Sequence, residues 1–440
     1  MSYPRYLKYK ASGVEWLGEV PGGWSVKPLC ALFRRVKRTD RADEQLLSVY
    51  RDLGVVPKAS RDDNFNKPSE DLSQYQLVEP GDLVINKMKA WQGSVAISDC
   101  RGIVSPAYFT YITTHRECGR YLHYLMRSLP YIACYQTISK GIRINQWDLE
   151  PEAHRRTPLL LPPLAEQRAI AAFLDRETKK IDGLVAEQER LIELLKEKRQ
   201  AVISHAVTKG LDPAAPMKPS GVEWLGDVPA HWEVKRMKTL GAVRYGIGEP
   251  PKYRDEGTAL IRATNVHAGR VNASGMVFVN PADIPTQRIV WLRPGDIIVV
   301  RSGAYTGDSA IIPHEYDGAI AGFDMVLRCA SDVQPNFVQY GLLGASLLAQ
   351  LELASTRAAQ PHLNAEELGS CLLVLPPGVE QRAIAACLDR ETKKVDDLVA
   401  QAESAMALLT ERRSALISAA VTGQIDVRNA VPSATPTEAA

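Results

Sequence analysis

The sequence predicts an α+β protein. Two mixed α/β globules are joined by two long antiparallel helices that pair as an intramolecular coiled coil, in a pseudo-two-fold, circular arrangement. Three observations lead there. A 48-residue segment, LPPLAEQRAIAAFLDRETKKIDGL…AVISHAVT at 161–208, returns at 375–422 with 32 identical positions and no gap. A shorter box, SGVEWLGEVPGGW at 12–24, returns as SGVEWLGDVPAHW at 220–232. Between these echoes lie two segments, 25–160 and 233–374, that barely resemble each other. The frame was duplicated and kept while the inserts diverged, the pattern of a chain that holds two different recognition surfaces in fixed relation.

The repeated segments read as helices. Apolar residues fall at three- and four-residue steps: Ile170, Leu174, Ile181, Leu184, Leu191, Leu195 and Val202 in the first copy, and Ile384, Leu388, Val395, Leu398, Leu409 and Leu416 in the second. This is a heptad stripe, broken by Glu177/Glu391 and Lys198/Arg412. Paired prolines, Pro162-Pro163 and Pro376-Pro377, stop either helix from extending backwards. An amphipathic helix running from 166 to 207 spans roughly 60 Å at 1.5 Å per residue and needs a partner over its stripe. The other copy is the nearest candidate; dimerisation through the same stripes, or packing on another subunit, is the alternative.

The inserts read as α/β. A Pro-Gly-Asp turn precedes an apolar strand in each, Leu83–Ile85 and Ile297–Val300. Further strands are expected at Leu46–Tyr50, Ser94–Ile97, Tyr108–Ile112, Leu260–Arg262 and Met325–Arg328, with helices at Arg120–Ser128 and Phe337–Leu353. The expected divisions are an N-terminal repeat segment 1–24, inserts 25–160 and 233–374, a central repeat region 161–232, a C-terminal helix within 375–427, and a disordered Pro/Ala/Thr-rich tail 428–440.

With 440 residues, 45% hydrophobic and 24% charged, the chain has the composition of a multi-domain globular protein. The opening MSYPRYLKYK lacks the apolar run of a signal peptide, and no stretch of about 18 apolar residues suggests a membrane span. Seven cysteines without a CxxC pair fit a reduced, cytoplasmic setting better than a disulfide framework or a zinc site. A net charge of +2 is too small for a protein that coats DNA by electrostatics alone.

Catalytic signatures are missing. No GxxxxGK[ST] loop is present, and Gly246-Ile-Gly248 lacks the following helix of a nucleotide fingerprint. The LPPL and LPPG prolines lack the polar and aromatic neighbours of an amino-methyltransferase motif. Asp82 with Lys87 and Lys89 superficially resembles a nuclease site, yet Asn86 stands where a second carboxylate is required. The eight histidines form no HxxxH or HExxH pair, so no metal site is expected.

Recognition chemistry is better represented. Cations beside aromatics and amides suit base edges: Arg and Lys for guanine, Asn and Gln for adenine. In the first insert these are Arg35, Lys37, Lys87, Lys89, Trp91, Gln92, Arg143 and Asn145. In the second they are Arg262, Asn265, Arg301, Ser302, Tyr305, Gln360, His362 and Asn364. Taken singly, each could be an ordinary surface residue. The matched loops KMKAWQG (87–93) and RSGAYTG (301–307) say more, since both keep cation, small residue, aromatic and glycine while the residues between change.

The duplicated LPPLAEQRAIAAFLDRETKKIDGL and LPPGVEQRAIAACLDRETKKVDDL segments, the two SGVEWLG boxes and the two PGD landmarks together resemble the specificity subunits of type I restriction–modification systems, over nearly the full chain. The resemblance implies two target-recognition domains, each reading one half of a bipartite, asymmetric DNA site. It implies helices that act as a ruler and dock two methyltransferase subunits, with motor–nuclease subunits joining for restriction, in a bacterial or archaeal cytoplasm at the nucleoid. It also implies no chemistry in this chain: S-adenosylmethionine, ATP and magnesium belong to partner subunits. The competing readings are a self-contained methyltransferase or endonuclease, and a coiled-coil scaffold without a DNA role.

Overall fold

The computed structural model describes residues 3–51, 53–60, 67–143, 146–249, 251–355 and 361–430, with backbone only at 142, 143 and 146. The chain divides into two compact units, 1–188 with 404–440, and 189–403.

In the first unit a hairpin of Tyr9–Ala11 and Glu19–Pro21 precedes the insert. The insert's sheet comprises β1 (Phe33–Val36), β2 (Leu83–Asn86), β3 (Val95–Ile97) and β4 (Tyr108–Thr113), in the antiparallel order β1-β4-β2-β3. Helices α1 (Gly119–Met126) and α2 (Leu129–Thr137) follow. The insert's ends are zipped together by Ser25–Pro28 pairing with Pro158–Leu161. The chain then enters α3 (Leu164–Lys209), 46 residues long.

The second unit repeats this plan. Its sheet holds β5 (Gly241–Tyr245), β6 (Ile297–Val299), β7 (Ser309–Ile311) and β8 (Met325–Cys329) in the order β5-β8-β6-β7. Helices α4 (Pro335–Leu343) and α5 (Ala345–Ser355) follow, and Glu233–Arg236 pairs with Leu372–Leu375 to close the insert. Then comes α6 (Gly378–Val421), 44 residues long. The expected single helix 337–353 is two, bent by 67°, because Gly344 between them adopts an extended conformation. Helix α2 was not anticipated. Among the described residues no single helix is long and apolar enough to cross a membrane.

The PGD landmark is a turn lock. Gly81 and Gly295 take φ of +92° and +90°, which disfavours any side chain there. The carboxylates of Asp82 and Asp296 accept the N–H of Glu79 and Arg293, both at 2.9 Å, and pair with Arg38 and Arg328. Asp82 therefore belongs to the turn and serves no nuclease site.

The frame of each unit is built by the same bonds. Trp24 Nε1 donates to Glu166 at 3.0 Å and Trp232 Nε1 to Glu380 at 2.9 Å. Gln167 bridges the Pro162 carbonyl (2.9 Å) and the Cys118 N–H (2.9 Å); Gln381 bridges Pro376 and Gln334, both at 2.8 Å. The Tyr124 hydroxyl donates to Asp175, and that of Tyr340 to Asp389, at 2.7 Å each. Within the first unit Arg413 of α6 pairs with Asp182 of α3 at 2.8 Å, and within the second Arg199 of α3 pairs with Asp396 of α6 at 3.1 Å.

The buried stripe differs from the expected one. Ile170, Leu174 and Ile181 are buried in the first unit, and Leu195, Ile384, Leu388 and Val395 in the second. Leu409 and Leu416 are half-buried. Leu184, Leu191 and Leu398 are instead 45%, 42% and 49% exposed. The inward line runs Thr178, Ile181, Val185, Gln188, Ile192, Leu195, Arg199, a strict alternation of three- and four-residue steps. The expected stripe followed leucines in a three-residue step from 181 to 184 where the heptad needs four. One residue is about 100° of helix rotation, so Leu184 faces outward. The assumed breaks at Glu177/Glu391 and Lys198/Arg412 move likewise to Thr178/Thr392 and Arg199/Arg413.

The N- and C-terminal ends meet in the first unit. Tyr9 donates to the Gly423 carbonyl at 2.9 Å and the Asp426 N–H to that of Pro4 at 2.7 Å. A Cβ on Gly423 would lie 2.4 Å from Pro21, so only glycine admits that approach. Val20 and Trp24 share a core with Phe173, Ile417 and Val421. Residues 428–430, expected to open a disordered tail, are instead held in place: Arg428 pairs with Asp426 at 2.6 Å and lies over the Tyr6 ring, and the Ala430 carbonyl accepts from Arg176. Residues 431–440 lie outside the described residues.

Candidate nucleic-acid interface

In each unit the loop after the PGD strand is met by a segment from late in the insert. In the first unit, Lys87, Lys89, Trp91 and Gln92 follow β2. A bulged hairpin, Ser139–Arg143 with Gln146–Leu149, docks on them: the Leu149 N–H donates to the Lys87 carbonyl at 3.0 Å. The ring of Trp147 stacks on Trp91, 5.2 Å between centroids and 30° between planes. Trp91 fixes its other edge by donating Nε1 to the Met88 carbonyl at 3.1 Å. Lys89 is exposed, Lys87 and Gln92 half-exposed. Arg143 sits on this hairpin, in a strand whose side chain is undescribed, and Asn145 lies outside the described residues.

Arg35 and Lys37 occupy the edge strand β1 and its end rather than this loop. The Arg35 guanidinium lies 4.0 Å above the Phe109 ring, and Lys37 reaches Gln74 at 3.4 Å. Both are exposed.

In the second unit the loop 301–307 is met by 361–364. Ser302 bridges to His362, and the Leu363 N–H donates to the Arg301 carbonyl at 2.8 Å. The Arg301 guanidinium lies between two half-exposed rings, 4.1 Å from Phe323 and 4.8 Å from Tyr245. Tyr305 and His362 are exposed. Arg262 rests 5.4 Å over Tyr253 and donates to the Gly275 carbonyl at 2.8 Å. Between Arg262 and Arg301 runs Gly322–Asp324: Gly322 abuts Arg262, and Asp324 accepts the Arg301 N–H at 3.2 Å. Cations held on aromatic faces keep their outer N–H groups for ligand, and the exposed rings offer stacking.

Two expected readers are structural. Asn265 is fully buried, donating to the Asn272 and Ser274 carbonyls (3.0 and 3.2 Å) and accepting the Arg262 N–H. Its amide secures a loop and cannot reach a base. Asn364 caps the short helix Ala365–Ser370, accepting the Glu367 N–H at 2.9 Å while Glu367 returns to the Asn364 N–H. Gln360 falls outside the described residues. The rings of Trp147, Tyr245 and Phe323 were missed. The first follows the Arg143–Asn145 group directly and could have been read with it. The other two are placed by tertiary packing alone. Among the described residues no cluster of His, Cys, Asp and Glu could hold a metal ion.

No family model matches the chain. It is 22% identical to the type I restriction enzyme EcoKI specificity subunit of Escherichia coli (strain K12) over 439 residues, 93% of this chain and 90% of that protein. It is 23% identical to the StySPI specificity subunit of Salmonella potsdam over 436 residues, with the same coverage. A solved chain from a study of complex assembly and conformational transition of the type I R-M system superposes with a TM-score of 0.69 at 17% identity, covering 91% of this chain and 98% of that one; the likeness is one of fold. Over nine-tenths of its length the chain is thus similar to type I restriction–modification specificity subunits, which supports assigning it to that family.

Proposed function

We propose that the chain is the DNA-reading, non-catalytic subunit of a type I restriction–modification complex, with insert 25–160 reading one half-site and insert 233–374 the other. The observation that carries this is the pairing of a frame whose Trp–Glu, Gln–proline-carbonyl and Tyr–Asp bonds recur in both units with two differently furnished loops, Trp91/Trp147/Lys89 against Arg301/Phe323/Tyr305. One chain with two equivalent faces can bind two copies of one partner, as a symmetric dimer would. Each unit exposes the same pair of leucines, one from each long helix. They are Leu184 and Leu408 in the first, 45% and 65% exposed, and Leu398 and Leu194 in the second, 49% and 45% exposed. These suit two methyltransferase subunits, with restriction subunits joining through that assembly.

Antiparallel pairing of α3 and α6 as a coiled coil, in a pseudo-two-fold, circular frame closed by Met1–Trp24, is part of the same reading. Stiff paired helices would set the distance and rotational phase of the two readers, making spacer length part of specificity. The near-neutral charge assigns most phosphate contacts to the partners. S-adenosylmethionine, ATP and magnesium belong to those partners, and the cytoplasm is where all of them and DNA coexist.

The test is a footprint and a methyl-transfer assay with labelled S-adenosylmethionine, using the chain alone, its methyltransferase partner alone, and both. Sequence-specific methylation should need both proteins and give two protected patches. Methyl transfer by the chain alone would make it an enzyme and overturn the reading.

A further inference from the structure

A two-stranded hairpin of the second unit, Val266–His267 with Arg270–Val271, turns through Ala268 and Gly269 at φ of +48° and +91°. Two successive left-handed residues make the tight hairpin turn that asparagine and glycine favour; alanine carries a Cβ penalty there. The hairpin is anchored to the recognition domain on one side. Gly269 bridges to Ala310 of β7, and its N–H donates to the carbonyl of the preceding residue, Ser309, at 3.0 Å. On the other side its tip grips both long helices at once. Arg270 donates to Asp396 Oδ2 of α6 at 2.7 Å, while Arg199 of α3 donates Nε to Asp396 Oδ1 at 3.1 Å and Nη2 to the Ala268 carbonyl at 3.5 Å. The strained turn thus points a carbonyl at α3 and a guanidinium at α6. In the first unit the repeat-equivalent pair, Arg413 with Asp182, has no second cation on Asp182 among the described residues.

We propose that this hairpin is a latch fixing the second recognition domain on the helix pair, with Arg270 as a positioning residue for the spacing between half-sites. This rests on the DNA-reading role above. Arg270 touches no reacting group, so its loss should leave the preferred bases alone and widen the range of spacers the complex accepts. Because Arg270 is 67% exposed, salt should weaken its grip and soften spacing discrimination in the same way.

The test uses the full chain in complex with its methyltransferase partner, on duplexes carrying the site mapped from the wild-type methylome with the native spacer or one base pair more or less. R270Q should raise the rate on altered spacers relative to the native one by roughly two- to fivefold, the range of a surface ion pair. R270K should restore discrimination, and salt should erode it in wild type but not in R270Q. Amide exchange at 266–271 should quicken in R270Q and return to the wild-type rate in R270K. An unchanged spacer ratio and unchanged exchange in R270Q would overturn the latch. If the wild-type complex methylates no bipartite site, the DNA-reading role fails instead, and the exchange rates still decide whether the latch exists.

Discussion

Glu166 accepts hydrogen bonds from two side chains of the N-terminal segment, the Tyr6 hydroxyl at 2.6 Å and Trp24 Nε1 at 3.0 Å, and so ties that segment to the first turn of α3. Its repeat partner Glu380 accepts from Trp232 at 2.9 Å and contacts His231 at 2.7 Å, but its side chain is 42% exposed. Removing a buried acceptor leaves its donors unpaired and costs about 2–3 kcal/mol; at the exposed site water replaces it, for about 1 kcal/mol. Glu166→Ala should therefore lower the denaturant midpoint of the first unit clearly more than Glu380→Ala lowers that of the second. Urea titrations followed by tryptophan fluorescence would check this, and equal losses would contradict it.

Deleting residues 1–24 strips Val20 and Trp24 from the core they share with Phe173, Ile417 and Val421. The first unit should loosen while the second, completed by its own residues up to Trp232, keeps its stability. Light scattering of the reconstituted complex should then find one methyltransferase subunit bound firmly, not two. Two firmly bound subunits would remove the N-terminal segment from the docking frame.

Arg301 and Asn265 were equal candidates in the sequence and should behave oppositely. Arg301→Ala removes a guanidinium held between Phe323 and Tyr245 and should relax or abolish methylation at one half-site with the fold intact. Asn265→Ala leaves the Asn272 and Ser274 carbonyls without their buried donor and should cost about 1–3 kcal/mol. The bases read by Asn265→Ala complexes should stay unchanged. Thermal melts beside methylome mapping distinguish the two; an unfolded Arg301→Ala protein would remove that residue from the reading surface.

Burial holds the pKa of His154 down to about 3, and burial with Arg127 and Arg120 nearby does the same to His123. Both are in the first unit. In an unfolded chain each titrates near 6.5. Between about pH 6.5 and 3 the unfolded state binds protons that the folded unit refuses, so stability falls as pH drops, by up to about 1.4 kcal/mol per pH unit for each histidine. Above pH 6.5 this loss is absent. The histidines of the second unit, His205, His231, His267, His314 and His362, are all exposed. The first unit should open before the second on acidification, read by amide exchange at pH 7 and 4.5, and His154→Gln should narrow the gap.

Much of this architecture was legible because it is written twice. The LPP…EQR helices and PGD strands stand within a few residues of where the repeat placed them, since proline, glycine and heptad spacing act locally. The helix face was not fully legible. Leu184, Leu191 and Leu398 looked like core because leucine is apolar, yet a single residue of register sends a side chain about a quarter-turn away. Polar residues were the least legible. Asn265 and Asn364 carry the same amide as a base reader, and only the surrounding carbonyls and helix end show that theirs is already committed. The aromatic platforms, Trp91 on Trp147 and Phe323 beside Arg301, join residues far apart in sequence, which no local pattern encodes.

The central claim is that one duplicated frame carries two independent readers. The most direct measurement maps methylated adenines genome-wide in cells carrying either this chain or a chimera whose residues 233–374 come from another specificity subunit. One half-site and its strand should persist while the other is replaced. Methylation independent of the chain, or a chimera in which both half-sites persist or both change, would contradict the account.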